Sequence, residues 1–267
     1  MKGLFITLEG IEGCGKTTQL RLLSEHLEQR GAGVTVTREP GGTPLAEALR
    51  GLLLDPATGT ISPLSELMMY AAARAQHVDA VIRPALDRGG VVLCDRFCDS
   101  TLAYQGGGRG ICMDEIRTLN ALATGGLAPD LTLLFDLPVE TGLARSGRRG
   151  APDRIEGEPA DFHRRVRDAF LDIARAEPRR ITIIDASAPV EDVYRSVRAV
   201  VDGLFQTRHN ATLGGSTPPD TVDTYMKQLP TWEAFAPVLP EVDPHAVGDP
   251  GPTQTQTVGA KQFICQT

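Results

Sequence analysis

The sequence predicts a three-layer α/β domain in which a five-stranded parallel sheet lies between helices. Three observations predict it. Short β-favouring apolar runs recur at 4–8, 34–37, 90–94, 131–135 and 181–184. The segments between them carry apolar residues at helical spacing, which is what parallel neighbours need, because they are joined by crossovers rather than hairpins. The first run also passes straight through a glycine cluster into a helix.

In chain order, Leu4 to Leu8 is the first strand, and Thr18 to Arg30 reads as a helix with Leu20, Leu23 and Leu27 on one face. Val34 to Thr37 is the second strand, followed by helices over Leu45 to Leu54 and Ser65 to Asp87. Gly90 to Cys94 is the third, a buried strand. Leu131 to Phe135 and Ile181 to Ile184 complete the sheet, with helices over Val139 to Arg145, Asp161 to Ala176 and Val190 to Phe205. The domain is therefore predicted over 1–206. From 207 to 267 the composition changes, with prolines at 218, 219, 230, 237, 240, 244, 250 and 252 among Thr, Gly and Gln. Such a tail buries too little apolar surface to offset its ordering entropy, and disorder is predicted for it. Tyr225 to Phe235, with Met226, Leu229 and Trp232, is the one piece of it equipped to dock.

The chain has 267 residues and is 41% hydrophobic, enough for a sizeable core. A formal net charge of -7 argues against nonspecific binding to nucleic acid or to an anionic membrane. The five cysteines, Cys14, Cys94, Cys98, Cys112 and Cys265, form no CxxC pair and no zinc spacing, so free thiols in a reducing cytoplasm are expected. Residues 1–9 show no cleavable targeting pattern, and no stretch approaches the roughly 20 apolar residues of a membrane span.

Gly10, Ile11, Glu12, Gly13, Cys14, Gly15, Lys16 and Thr17 fit the phosphate-loop pattern between a strand and a helix. Glycines let successive N–H groups turn toward phosphate oxygens, Lys16 brings charge to the β- and γ-phosphates, and the Thr17 hydroxyl suits Mg²⁺. The helix N-terminus aims its dipole at the same anions. ATP is the expected occupant, with Thr18 next to it. The loop alone does not separate a kinase from an ATPase or a nucleotide-driven switch.

The third strand runs into Asp95-Arg96-Phe97, so a carboxylate and a guanidinium emerge at the carboxyl edge of the sheet, where open α/β folds bind ligands. Asp95 suits Mg²⁺ through water, and Arg96 suits a phosphate clamp. The segment Arg38-Glu39-Pro40-Gly41-Gly42-Thr43 follows the second strand similarly, with Thr43 and Pro44 fitted to cap the next helix.

These motifs, with Ser100-Thr101, Ala103-Tyr104-Gln105-Gly106 and Asp153-Arg154-Ile155-Glu156, together resemble bacterial thymidylate kinases over residues 1 to about 205. The resemblance implies phosphoryl transfer from ATP to dTMP. It implies that Tyr70 stacks on thymine, where the family usually has Phe, and that Arg74, one turn on, bonds the base edge. It further implies that Arg38 and Arg96 hold the dTMP phosphate, that Ser100, Thr101 and Gln105 contact the nucleoside, that Tyr104 excludes a 2′-hydroxyl, and that Glu12 reaches the 3′-hydroxyl. A homodimer is also implied. Another nucleoside monophosphate kinase and an ATP-dependent switch stay open as alternatives, although acceptor-side arginines are superfluous in a switch.

The basic, glycine-hinged stretch at 145–157 reads as a lid over the phosphates. The phosphate loop carries no arginine at its variable positions, so the charge that stabilises the transition state is expected from this lid. Arg149 is the first candidate, with Arg148 and Arg154 behind it as ATP ligands. The expected catalytic set is Lys16, Asp95, Arg96 and Arg149, and Thr17 and Asp95 are the expected metal contacts. His77 and His163 are read as structural and unpaired.

Overall fold

The computed structural model describes residues 3–213 apart from residue 149, with side chains as far as residue 208. Strands β1 (Leu4–Glu9), β2 (Val34–Arg38), β3 (Val91–Asp95), β4 (Leu131–Asp136) and β5 (Ile181–Asp185) form one sheet in the order β2-β3-β1-β4-β5. Every adjacent pair is parallel. Each strand continues one residue past its apolar run, onto Glu9, Arg38, Asp95, Asp136 and Asp185. Ladder hydrogen bonds come from the backbone, so pairing outlasts hydrophobicity, and every strand delivers a charged side chain to the carboxyl edge.

The crossovers use α1 (Lys16–Gln29), α2 (Pro44–Leu54), α3 (Pro63–His77), α4 (Arg83–Asp87), α5 (Cys98–Thr101), α6 (Met113–Thr124), α7 (Val139–Ser146) and α8 (Ala160–Ala176), and α9 (Val190–Leu213) follows the last strand. The single long helix predicted to Asp87 is α3 and α4 joined by wide, π-type turns at Val78–Ile82. Sequence reasoning missed α5, the π-type turns at Leu102–Gly108 and α6. The buried stripe of α6 is Ile116, Asn120 and Thr124, two of them polar, so its apolar periodicity is faint. The final helix carries the chain to Leu213, past the boundary expected at 206. Most of the Pro-rich tail, including 225–235, lies outside the described residues.

Alternation along the central strands sorts the core into two faces. Leu4, Ile6, Leu8, Val91 and Leu93 join a large cluster with Leu20, Leu23 and Leu27 of α1 and Phe170 and Ile173 of α8. Phe5, Val92 and Cys94 point the other way, to Val78, Ile82, Ala85 and Phe97. Each such fully buried aliphatic side chain contributes about 1.5–3 kcal/mol. The sheet edge is thereby a rigid platform.

Glu9 ends β1 with its side chain fully buried, and its carboxyl accepts Phe97 N (2.7 Å), Ser100 N (3.3 Å) and Ser100 Oγ (2.5 Å). It thereby clamps the turn after β3, in which Arg96 takes φ 69°, a left-handed conformation unusual for a side chain with a Cβ. Burial, reinforced by the Asp99 charge, raises the Glu9 pKa to about 7 against the pull of Arg96 and these hydrogen bonds. The folded protein therefore keeps a proton that the unfolded chain releases at the ordinary carboxylate value. The stabilisation is complete below that value and is lost as pH rises through 7. Between about pH 5 and pH 8 the urea midpoint of the unaltered protein should fall relative to that of Glu9→Gln. A difference between the two midpoints that does not change with pH would refute this.

Candidate functional site

The phosphate loop crosses from β1 to α1 at the carboxyl edge. Gly13 has φ 70°, and a Cβ there would meet the Gly142 carbonyl oxygen of α7 at 2.1 Å, so both conformation and contact demand glycine. Gly15 caps α1 in the left-handed region at φ 91°. The Lys16 ammonium is held against the Gly10 and Ile11 carbonyl oxygens at 3.1 and 3.0 Å, with Cys14 Sγ at 3.4 Å. Thr17 and Thr18 are exposed on the first turn.

A cavity of about 480 Å³ opens beside the loop. Its lining brings together Glu12, Gly13, Cys14, Gly15, Lys16, Thr17 and Thr18 with Tyr70, Arg74, Asp95, Arg96, Ser100, Thr101, Tyr104 and Gln105, as the sequence predicts. Gly10 and Ile11 lie behind this wall and serve through their carbonyls. A second cavity, about 520 Å³, shares Gly13, Cys14, Gly15, Thr18 and Arg145 with the first and is closed by Ala186–Val190 and Val193. That loop after β5 went unnoticed in the sequence, since small residues and a proline there carry no motif. Arg145 Nη1 is tied to the Ala186 carbonyl oxygen at 3.1 Å.

Arg96 donates to Gly10 O (2.8 Å), Ser100 Oγ (3.1 Å) and Glu12 Oε1 (2.9 Å), and lies 5.0 Å over the Tyr104 ring. The Tyr104 hydroxyl donates to the same Glu12 oxygen at 2.5 Å. Burial alone would raise the Glu12 pKa, but Arg96, His163, Lys16 and Tyr104 outweigh it and hold it at about 2. Glu12 is thus ionised throughout the neutral range. Its Oε2 has no hydrogen-bond partner among the described residues, with His163 Nδ1 3.5 Å away. The Ser100 hydroxyl donates its one proton to Glu9 and accepts from Arg96.

Arg74 is buried and donates to Glu39 Oε2 (2.7 Å), Asn120 Oδ1 (2.6 Å), Phe97 O (3.1 Å) and Thr101 Oγ1 (2.8 Å). One of its five guanidinium N–H groups is thereby left without a hydrogen bond among the described residues. His77 is structural as expected but not unpaired: Thr37 Oγ1 lies 2.6 Å from Nε2 and Glu39 Oε1 3.0 Å from Nδ1. Burial, with the Glu66 charge behind it, raises the Tyr70 hydroxyl pKa well above the usual phenol value, so the ring stays neutral.

Three of the predicted arginines, Arg38, Arg148 and Arg154, do not line the cavity. Arg38 does not line it; its guanidinium pairs with Glu47 (2.9 and 3.0 Å), drawn there because Glu47 also caps the Gly42 N–H. Arg50, which the sequence did not single out, lines the cavity instead and is fixed to Pro40 O at 2.9 Å. Its signal was its position, six residues into α2. Arg154 donates to Leu53 O (2.6 Å) and Glu66 Oε2 (2.5 Å), behind the wall formed by Asp153, Ile155 and Glu156. Arg148 is exposed, and Arg149 lies outside the described residues.

The hard-oxygen donors fit a magnesium ion. Asp95 faces the cavity with no side-chain hydrogen bond or ion pair to the described residues, and the Thr17 hydroxyl is equally uncommitted. No group of three or more His, Cys, Asp or Glu side chains gathers for a metal among the described residues. That pattern suits Mg²⁺, which keeps several waters and takes one or two protein oxygens plus substrate phosphates. Cys14, Cys94, Cys98 and Cys112 are in no disulfide, and no described helix is long and apolar enough to cross a membrane.

The thymidylate kinase family model matches residues 8–197. A thymidylate kinase of Citrifermentans bemidjiense is 57% identical over 210 residues, spanning 76% of this chain and 92% of the relative. One of Deinococcus radiodurans is 54% identical over 200 residues, spanning 75% and 97%. A crystal structure of thymidylate kinase from Ehrlichia chaffeensis matches with a TM-score of 0.63 at 38% identity, covering 76% of this chain and 99% of that one. With a phosphate loop, arginines and an aromatic ring lining one cavity, the chain belongs to the thymidylate kinase family and is a nucleotide kinase that phosphorylates dTMP from ATP.

Proposed function

We propose that the 480 Å³ cavity receives dTMP and the transferring phosphates, and that the 520 Å³ cavity receives the adenine ring of ATP. The observation that carries this reading is that Lys16, Arg96 and Arg50 line one cavity together with the aromatic Tyr70. Two anions need two sets of cations, and a base needs a platform.

In this reading the loop N–H groups and Lys16 hold the β- and γ-phosphates, the ammonium exchanging the Gly10 and Ile11 carbonyls for phosphate oxygens. Arg96 and Arg50 hold the dTMP phosphate, Arg50 taking the share expected of Arg38. Tyr70 stacks on thymine, the remaining Arg74 N–H reaches the base edge, and Thr101 and Gln105 contact the nucleoside. Thr101 accepts from Arg74, which leaves its own proton to donate. Glu12 Oε2 accepts the 3′-hydroxyl, and the Tyr104 ring occupies the space of a 2′-hydroxyl. Ser100 acts indirectly, by fixing Arg96.

A dTMP phosphate oxygen attacks the γ-phosphorus, the bond to the β–γ bridging oxygen breaks, and ADP leaves. The chain supplies position and charge. Thr17 and, through water, Asp95 would hold Mg²⁺, which neutralises phosphate charge when bound. Asp95→Asn should raise the Mg²⁺ concentration for half-maximal rate by roughly 10–100-fold. An unchanged Mg²⁺ titration would remove Asp95 from this role.

Arg149 remains the proposed source of transition-state charge. Arg148 stands next, because Arg154 is committed to Leu53 and Glu66. In a coupled assay of dTMP-dependent ADP release, Arg149→Ala should lower kcat by about 10³-fold with little change in KM for dTMP. A full kcat would move the role to Arg148.

We further infer a homodimer formed through α2, α3 and α6. Leu52 of α2, Leu64 and Met68 of α3 and Leu122 of α6 are each at least half exposed, and α3 packs between the other two helices. Sedimentation should give twice the chain mass, and Met68→Glu should shift it toward one; a monomeric unaltered protein would exclude this interface. The cytoplasm is the compartment that suits its reduced cysteines.

A further inference from the structure

Glu66 lies in the first turn of α3, four residues before Tyr70 and eight before Arg74, on the same helix face. Its side chain is fully buried, although it belongs to none of the motifs in the sequence. Oε1 accepts Gln105 Nε2 at 2.8 Å and Arg109 Nε at 3.1 Å; Oε2 accepts Arg109 Nη2 at 3.2 Å and Arg154 Nη2 at 2.5 Å. Arg109 pairs in turn with Glu158 at 2.5 Å, so two carboxylates balance two guanidiniums. Burial would raise the Glu66 pKa, but hydrogen bonds from Arg109, Gln105 and Arg154 outweigh it and lower the value below the ordinary one. Glu66 is therefore an acceptor and never a donor.

An amide side chain has a donor end and an acceptor end that otherwise interchange by a flip. Against a carboxylate only the NH₂ end of Gln105 fits. Gln105 is itself buried and lines the 480 Å³ cavity. Its carbonyl oxygen is then the atom left for a ligand.

We propose that Glu66 is a positioning residue for acceptor choice: it orients the Gln105 amide so that an oxygen faces the base, selecting a pyrimidine with a ring N–H over one with a bare ring nitrogen. Thymine and uracil carry that N–H at N3; cytosine carries a lone pair there. A lone pair facing the Gln105 oxygen would leave two buried acceptors opposed. The inference rests on Gln105 contacting the base. Because Arg154 docks its backbone N–H on Leu54 O (2.9 Å) and its guanidinium on Glu66, the same carboxylate also ties segment 153–156 to this selection.

The test compares kcat/KM for dTMP and dCMP in three proteins. In Glu66→Gln the partner of Gln105 gains a donor end, the flip is allowed, and the dTMP:dCMP ratio should fall at least about tenfold. A purely structural Glu66 would lower both values in parallel, and an unmoved ratio in folded protein overturns the proposal. Gln105→Leu separates the two layers. Should it leave the ratio unmoved, the base contact itself is wrong; should it shift the ratio while Glu66→Gln does not, only the role of Glu66 is wrong. Should Glu66→Gln fail to fold, ¹⁵N-labelled unaltered protein with dTMP decides the matter. The Gln105 side-chain NH₂ signals, assigned by their loss in Gln105→Leu, should show Overhauser contacts to the Glu66 methylenes. Contacts to the thymine instead would overturn the proposal.

Discussion

The Arg74 guanidinium is the tie on which the walls of the 480 Å³ cavity depend. It sits almost fully buried on α3 and reaches Glu39 after β2, Phe97 after β3, Thr101 in α5 and Asn120 in α6. Four segments distant in sequence, around residues 39, 74, 97–101 and 120, thereby converge on one planar group. A buried ion pair is a poor source of net stability, since desolvation offsets much of the attraction, yet removing one partner typically costs about 3–5 kcal/mol. What the Arg74–Glu39 pair provides is specification: the backbone after β2 and β3 has one arrangement that satisfies all the donors. His77, on the other Glu39 oxygen, extends the tie to Thr37.

Glu9 and Glu12 show how far environment separates like groups. Three residues apart, they are held at about 7 and about 2. Glu9 is fully buried and Glu12 largely so; the difference is the company. Glu9 faces Asp99 and accepts from backbone and serine donors, whereas Glu12 has Arg96, His163, Lys16 and Tyr104 around it. One carboxyl can hold a proton and fasten a turn while the other stays charged at the cavity wall, a division of roles that neighbouring groups impose.

Much of this was legible in the sequence. The five strands and the helices of every crossover except that between β3 and β4 followed from apolar runs and periodicity, and the phosphate loop, Asp95-Arg96 and the Tyr70–Arg74 spacing fell on one cavity. What escaped had physical reasons. α6 hid because Asn120 and Thr124 occupy its inward stripe, and the partner that Asn120 meets there, Arg74, is one no local pattern reveals. Arg38 and Arg50 exchanged places at the wall because Glu47, which caps Gly42, captures Arg38. The loop after β5 carries no chemical side chain to notice; it lines a cavity by virtue of where the sheet ends. Glu66 stood four residues before Tyr70, but a lone acidic residue near a helix start reads as a dipole partner until its burial is known.

The phase of α3 has a further consequence. Glu66, Tyr70 and Arg74 share a face only because they are four apart, and each residue of helix turns the chain by about 100°. Losing or gaining one residue between Glu66 and Arg74 would therefore swing one part of that face away from the rest, whichever residue were involved. Point substitutions in α3 change one contact each, whereas a single-codon insertion or deletion there breaks the alignment of the Tyr70 ring and the buried tie together. Variation in length should thus be borne by the exposed turns before Ser62, and α3 should diverge by replacement alone.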